Sequence, residues 1–204
     1  MGFDLTGTIN STIPEPNWDL DFDHPDIKQY YDTQKNLKGA YFRANCWQWR
    51  SIPALVRKLG FLKTDEENNG WAYNDFYEVD KDEAKEIGMA ILDWLDCMVQ
   101  EYEIPEDEES HYVINIEGNV MGEIEYTEVW RKLPEHMETC KYCDGTGDRT
   151  DGIIQGAWKE ECNGCNGCHG EGRVSKHYTS YAIGLDHLEE FAKFAMASGG
   201  FKIG

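Results

Sequence analysis

Cys140-Lys-Tyr-Cys143-Asp-Gly145-Thr-Gly147 and Cys165-Asn-Gly-Cys168-His-Gly170-Glu-Gly172 spell one pattern twice, Cys-x-x-Cys-x-Gly-x-Gly. Two cysteines three apart can turn both sulfurs onto one cation, and two such knuckles complete a tetrahedron. The glycines after each knuckle accept the positive φ of a tight turn. They also let backbone amides point at the thiolates and offset their charge. Cys162 and Cys165 form a competing Cys-x-x-Cys pair, but that frame lacks the second glycine. The glycines therefore choose Cys140, Cys143, Cys165 and Cys168 as the ligands of one structural Zn2+, with Cys162 and His169 as spare candidates. A closed four-cysteine site leaves no position for water or substrate, so its expected role is to staple a segment too rich in glycine to fold alone.

Working outward, this pattern makes 136–177 an insert, a zinc-stapled β-hairpin within a single α+β domain formed by 1–135 and 178–204. Residues 1–38 are polar and interrupted by Pro14, Pro16 and Pro25, which reads as a short first strand and a long loop. Ser51 can cap a helix that Gly60 stops. The clearest helix runs from Asp82 to Tyr102, where Ile87, Ile91, Trp94, Leu95, Met98 and Tyr102 recur at three- and four-residue steps. Asp80, Asp82 and Glu83 suit its N-terminus, and Cys97 on it reads as core. His111–Ile116 and Glu123–Trp130 read as the two strands of a hairpin, and Lys176–Ile183 as a further strand. Leu185, Leu188, Phe191, Ala192 and Ala195 mark a last helix, with Asp186 and Glu189 spaced as a capping box. Phe201–Ile203 adds an edge strand. The expected fold is a small, mostly antiparallel sheet with about three helices.

The chain of 204 residues carries 19 Lys and Arg against 39 Asp and Glu, a formal charge of −20. From Glu86 to Trp130 there are thirteen acidic residues and no Lys or Arg. Such a field repels nucleic-acid phosphates and anionic membranes and attracts basic partners. The N-terminus lacks the basic and apolar regions of a signal peptide, and no run reaches the ~18 apolar residues of a membrane span. Seven cysteines without a secretory signal favour reduced thiols and metal over disulfides. The expectation is a soluble, cytoplasmic protein.

Tyr41, Phe42, Arg43, Asn45, Trp47, Trp49 and Arg50 form an aromatic and basic block. With Asp75 it is a candidate binding site, because Trp, Tyr and Arg dominate interaction hot spots. The plainer reading is a strand with one buried face. No phosphate-binding glycine loop, nucleophile elbow or His-Glu-x-x-His motif occurs.

The two knuckles resemble half of the zinc region of DnaJ-type co-chaperones, which carries four such units. The resemblance covers about residues 140–172 and implies one zinc centre. His24-Pro25-Asp26 matches the tripeptide of J-domains, but the acidic, proline-interrupted residues before it are not the basic helix a J-domain needs. Elsewhere the chain resembles uncharacterised proteins of tailed bacteriophages. Met1-Gly-Phe-Asp-Leu5, the Gly39-Ala-Tyr-Phe-Arg-Ala-Asn-Cys-Trp-Gln-Trp-Arg50 block, Trp71-Ala-Tyr-Asn-Asp75 and Phe191-Ala-Lys-Phe-Ala-Met-Ala-Ser-Gly-Gly-Phe201 carry that likeness. It implies a phage-encoded protein in the host cytoplasm. The expected function is that of a non-enzymatic accessory protein that binds a basic host or phage protein, such as an inhibitor of a host defence or nucleic-acid-binding enzyme. A small enzyme with a pocket near the block and a zinc-dependent, chaperone-like client binder are the alternatives.

Overall fold

The computed structural model describes residues 2–73, 76–105, 111–149, 164–176 and 181–204. Asp75, Cys162 and half of the strand expected over Lys176–Ile183 lie outside them. The chain divides into two compact units, one of Met1–Met121 with Tyr181–Gly204, the other of Gly122–Ser180. The architecture is α+β throughout, with antiparallel strand pairing.

The larger unit is built on a sheet in the order β2-β1-β9-β3, from β1 (Gly2–Gly7), β2 (Tyr41–Asn45), β3 (Tyr77–Val79) and β9 (Phe201–Ile203). Phe3 pairs with Ala44 and Leu5 with Phe42, so one face is apolar. The period of two then places Asp4 opposite Arg43 on the other face. β9 is internal, not the edge strand expected. Ile203 pairs with Leu5 on one side and Tyr77 on the other, and Phe201 and Ile203 are both buried. A second sheet, in the order β5-β4-β8, joins β4 (Tyr112–Asn115), β5 (Val120–Gly122) and β8 (Ala182–Gly184). The hairpin after His111 is thus tighter than its sequence suggests. Glu123–Glu128 is not its second strand but a helix, α6, which buries Tyr126 and leaves Ile124 exposed.

Two helices read from periodicity carry the core of this unit. α5 (Lys81–Glu101) buries Ala84, Ile87, Ile91 and Leu95. Asp80 caps it, its Oδ1 accepting from the backbone N–H of Asp82 (2.8 Å) and Glu83 (2.9 Å). α7 (Leu185–Ala197) buries Leu188, Phe191, Ala192, Phe194 and Ala195. The helices meet closely at Gly88, where an added Cβ would lie 2.6 Å from the Ala192 carbonyl oxygen. Cys97 on α5 is exposed, not core. The capping box expected at Asp186 and Glu189 does not form; Gly184 is the N-cap, with no side-chain cap.

The other helices are α1 (Pro25–Asn36), α2 (Cys46–Trp49), α3 (Ser51–Lys58) and α4 (Asp65–Ala72). α1 replaces part of the long loop expected over 1–38. Pro25 suits its first turn, and His24 Nδ1 accepts from the Asp26 backbone N–H at 3.2 Å. Ser51 caps nothing. It lies buried inside α3, and Arg50 takes the N-cap position without a side-chain bond. The cap sits earlier, at Asn45. Its Oδ1 accepts from the N–H groups of Trp47 and Gln48 (2.9 Å each), and Gln48 Oε1 accepts from the Asn45 N–H (3.3 Å). Asn45→Ala removes this capping box and is expected to lower stability by about 1 kcal/mol. A shift of the urea midpoint at unchanged slope checks it.

The smaller unit holds α6 and a two-stranded sheet of β6 (Met137–Thr139) and β7 (Arg173–Ser175). Met137 pairs with Ser175 and Thr139 with Arg173, so the strands bring Cys140 beside Gly172. No helix among the described residues is long and apolar enough to cross a membrane.

Candidate metal centre

The strand pair β6/β7 closes the base of the two knuckles. The Cys140 N–H donates to the Gly172 carbonyl (2.9 Å), and the Cys165 N–H donates to the Gly147 carbonyl (2.5 Å). These bonds are reciprocal, each knuckle holding the other. Within each knuckle the fourth residue's N–H turns back on the first cysteine's carbonyl, Cys143 on Cys140 (3.4 Å) and Cys168 on Cys165 (3.3 Å).

The glycines are required by this pseudo-symmetric contact. Gly147 and Gly172 have φ of 83° and 74°, where a side chain is strained. A Cβ on Gly147 would lie 2.4 Å from the Gly170 oxygen, and one on Gly172 would lie 2.3 Å from the Gly145 oxygen.

The result is a cluster of four thiols. The Sγ atoms of Cys140, Cys143, Cys165 and Cys168 all lie within 4.8 Å of one another, and all four residues are buried. Cys140 and Cys165 sulfurs are 3.9 Å apart, and those of Cys143 and Cys168 are 3.7 Å apart. A zinc–sulfur bond of about 2.3 Å in a regular tetrahedron sets sulfurs about 3.8 Å apart, so the separations fit one such ion. None of the four is in a disulfide. The cluster could therefore hold one metal ion.

The electrostatics differ between the two knuckles. The Gly172 N–H donates to Cys168 Sγ at 3.1 Å. Burial works to raise the Cys143 thiol, but hydrogen bonds from the Gly147 backbone, Cys168 and the Gly145 backbone outweigh it and hold it at about 7. Burial dominates at Cys168 and pushes it up to about 11, against the Gly172 N–H. A dication among the four sulfurs would favour thiolate at every one.

Of the spare candidates, His169 is exposed and takes in the second knuckle the place of Asp144 in the first, both at positive φ. It stands outside the four-thiol cluster. Cys162 lies outside the described residues.

The aromatic and basic block does not converge on one site. Phe42 and Ala44 face the core, while Tyr41 and Arg43 face outward. Trp49 is fully buried, stacked between Phe3 (5.0 Å) and Trp71 (5.7 Å). Trp47 is exposed and packs on Tyr181 at 5.6 Å. Asn45 caps α2, and Arg50 joins α2 to α3. Arg43 Nε lies 3.7 Å from Asp4, to whose carboxylate the Tyr41 hydroxyl donates. Burial, that hydrogen bond and the negative charge of Asp4 push Tyr41 up to about 12. A phenol whose pKa is raised on folding keeps its proton longer in the folded state. Its contribution is present below the ordinary value of about 10 and is lost as pH climbs from there through 12. Burial also raises Tyr77 and Tyr126, so phenolate absorbance is expected to show several late-titrating tyrosines, of which Asp4→Asn returns Tyr41 toward the ordinary range.

Comparison with protein-family models, curated proteins and solved structures found no match to this chain.

Proposed function

We propose that this chain is a zinc-stapled, non-enzymatic accessory protein that works by binding another protein. The observation that carries the reading is the makeup of the cluster. Among the described residues, four buried cysteines with no other ligand type form an all-sulfur cluster, the chemistry of structural zinc. Such a site holds a surface in shape and offers no open coordination position. One dication among four thiolates also leaves the centre at a net charge of about −2, in keeping with an acidic protein.

The formal charge of −20 favours a basic partner and disfavours direct contact with nucleic acid. An inhibitor of a host defence or nucleic-acid-binding enzyme, its carboxylates standing where phosphates would sit, fits this balance. Under the same reading, the phage-like sequence blocks favour the host cytoplasm as its location. The enzyme alternative draws no support from the block, whose residues divide between core, helix cap and open sheet face.

Metal analysis of the purified protein is expected to give about one zinc per chain. Pull-down from a host lysate at low and high salt tests the interaction. A basic protein retained at low salt and released at high salt supports it. Failure to retain any protein, while small ligands raise the melting temperature, overturns it.

A further inference from the structure

We infer that an exposed aromatic cluster at the start of α1 is the docking surface for an arginine-rich segment of the partner. The inference deepens the binding reading above and rests on it. Trp18 meets Tyr30 edge-on at 5.2 Å, Tyr30 meets Tyr31 at 5.6 Å, and Phe22 meets Tyr31 at 5.5 Å. The rings are thus mutually ordered, yet Trp18 is 53% exposed, Phe22 75% and Tyr31 41%. They stand outside the main hydrophobic core of their unit. Rings held by one another and left facing water form a preorganised contact patch, which lowers the ordering cost of binding.

The charge around the rings selects the occupant. From Glu15 to Asp32 the chain carries Glu15, Asp19, Asp21, Asp23, Asp26 and Asp32 against Lys28 alone, and Lys28 is paired with Asp23 at 3.1 Å. Beside the rings, a cleft of about 360 Å³ is lined by Glu15, Asn17, Asp26 and Tyr30 among others. Aromatic faces rimmed by carboxylates recognise a guanidinium, which stacks on a ring while its N–H fork reaches an acid. Lysine satisfies the charge but not the planar stacking. A second copy of this chain is disfavoured, because it would bring the same acidic rim against itself.

The probes are a labelled oligo-arginine peptide and an oligo-lysine peptide of equal length, titrated by fluorescence anisotropy at physiological salt. Oligo-arginine is expected to bind the full-length, zinc-loaded protein more tightly than oligo-lysine. Trp18→Ala with Phe22→Ala, which changes no charge, is expected to weaken oligo-arginine binding about tenfold or more. Phe22→Ser alone, at the most exposed ring, is expected to act in the same direction and guards against misfolding of the double variant. Asp93→Asn with Asp96→Asn, which removes charge from the exposed side of α5, is expected to leave the affinity where it was. Three results overturn the inference: no binding of oligo-arginine, equal binding by the ring variants, or an equal loss in the α5 variant, which would mean diffuse attraction. Self-association that the ring variants abolish would make a second copy the occupant and overturn it as well. If the ring variants still retain a basic protein from lysate, this surface is wrong and the binding reading stands. If the unaltered protein retains none, the binding reading fails too.

Discussion

Cys140→Ser and Cys168→Ser are each expected to empty the metal centre and unfold the smaller unit. A hydroxyl is a far weaker zinc ligand than a thiolate, and three sulfurs leave the tetrahedron open. The consequence for folding follows from what this unit has in place of a core around its knuckles. The four cysteines cluster together, and among the described residues Val174 is the apolar side chain packed against them. Apparent binding free energies of roughly 10–16 kcal/mol in small zinc modules exceed what so few apolar contacts supply. Metal content is expected to fall from about one ion per chain to none. Amide exchange over the described part of Gly122–Ser180 is expected to become fast, and a strong chelator is expected to reproduce this in the unaltered protein. Cys162→Ser is expected to retain the metal. If that substitution empties the site and Cys168→Ser does not, the ligand frame chosen by the glycines is wrong.

Trp49→Ala is expected to cost roughly 3–5 kcal/mol, a large part of the stability of a domain this size. Trp49 is fully buried and stacks on Phe3 and Trp71, with Phe191 edge-on at 6.2 Å. Its indole N–H also donates to the Trp71 carbonyl at 2.7 Å, tying α2 to the end of α4. Alanine leaves a cavity and an unpaired carbonyl together. Trp49→Phe separates the two, since a ring remains while the carbonyl loses its donor. It is expected to cost about 1–3 kcal/mol. Trp47→Ala, by contrast, truncates an exposed ring and is expected to change stability little. Denaturant midpoints for the three variants check the order. Equal costs at Trp47 and Trp49 would contradict the burial assigned to each.

That contrast shows where sequence reading stops. Trp47 and Trp49 are two apart, and along a continued strand they would share a face. Asn45 ends β2 by capping a single helical turn, which sends Trp49 into the core and leaves Trp47 outside. Similarly, Ile124 and Tyr126 alternate as a strand would, yet they belong to α6. α1 shows little apolar periodicity because it buries only Ile27, although Pro25 at its start was an available signal. The rings at Trp18, Phe22, Tyr30 and Tyr31 read as loop for the same reason. Their density amid aspartates was visible, but their convergence needs α1 to bring Tyr30 and Tyr31 under Trp18.

Sequence by itself pointed to the four cysteines that cluster and to the two main helices, because both rest on local geometry. Cysteine and glycine spacing fixes how a knuckle turns, and a 3.6-residue apolar period fixes which face of α5 and α7 is buried. Only the tertiary structure decided that the closing strand Phe201–Ile203 lies between β1 and β3. Only there do the two knuckles pair through Gly147 and Gly172, and the aromatic and basic block divide between core and surface. Those outcomes depend on contacts between residues far apart in the chain, and local spacing carries no record of which distant segment supplies the partner.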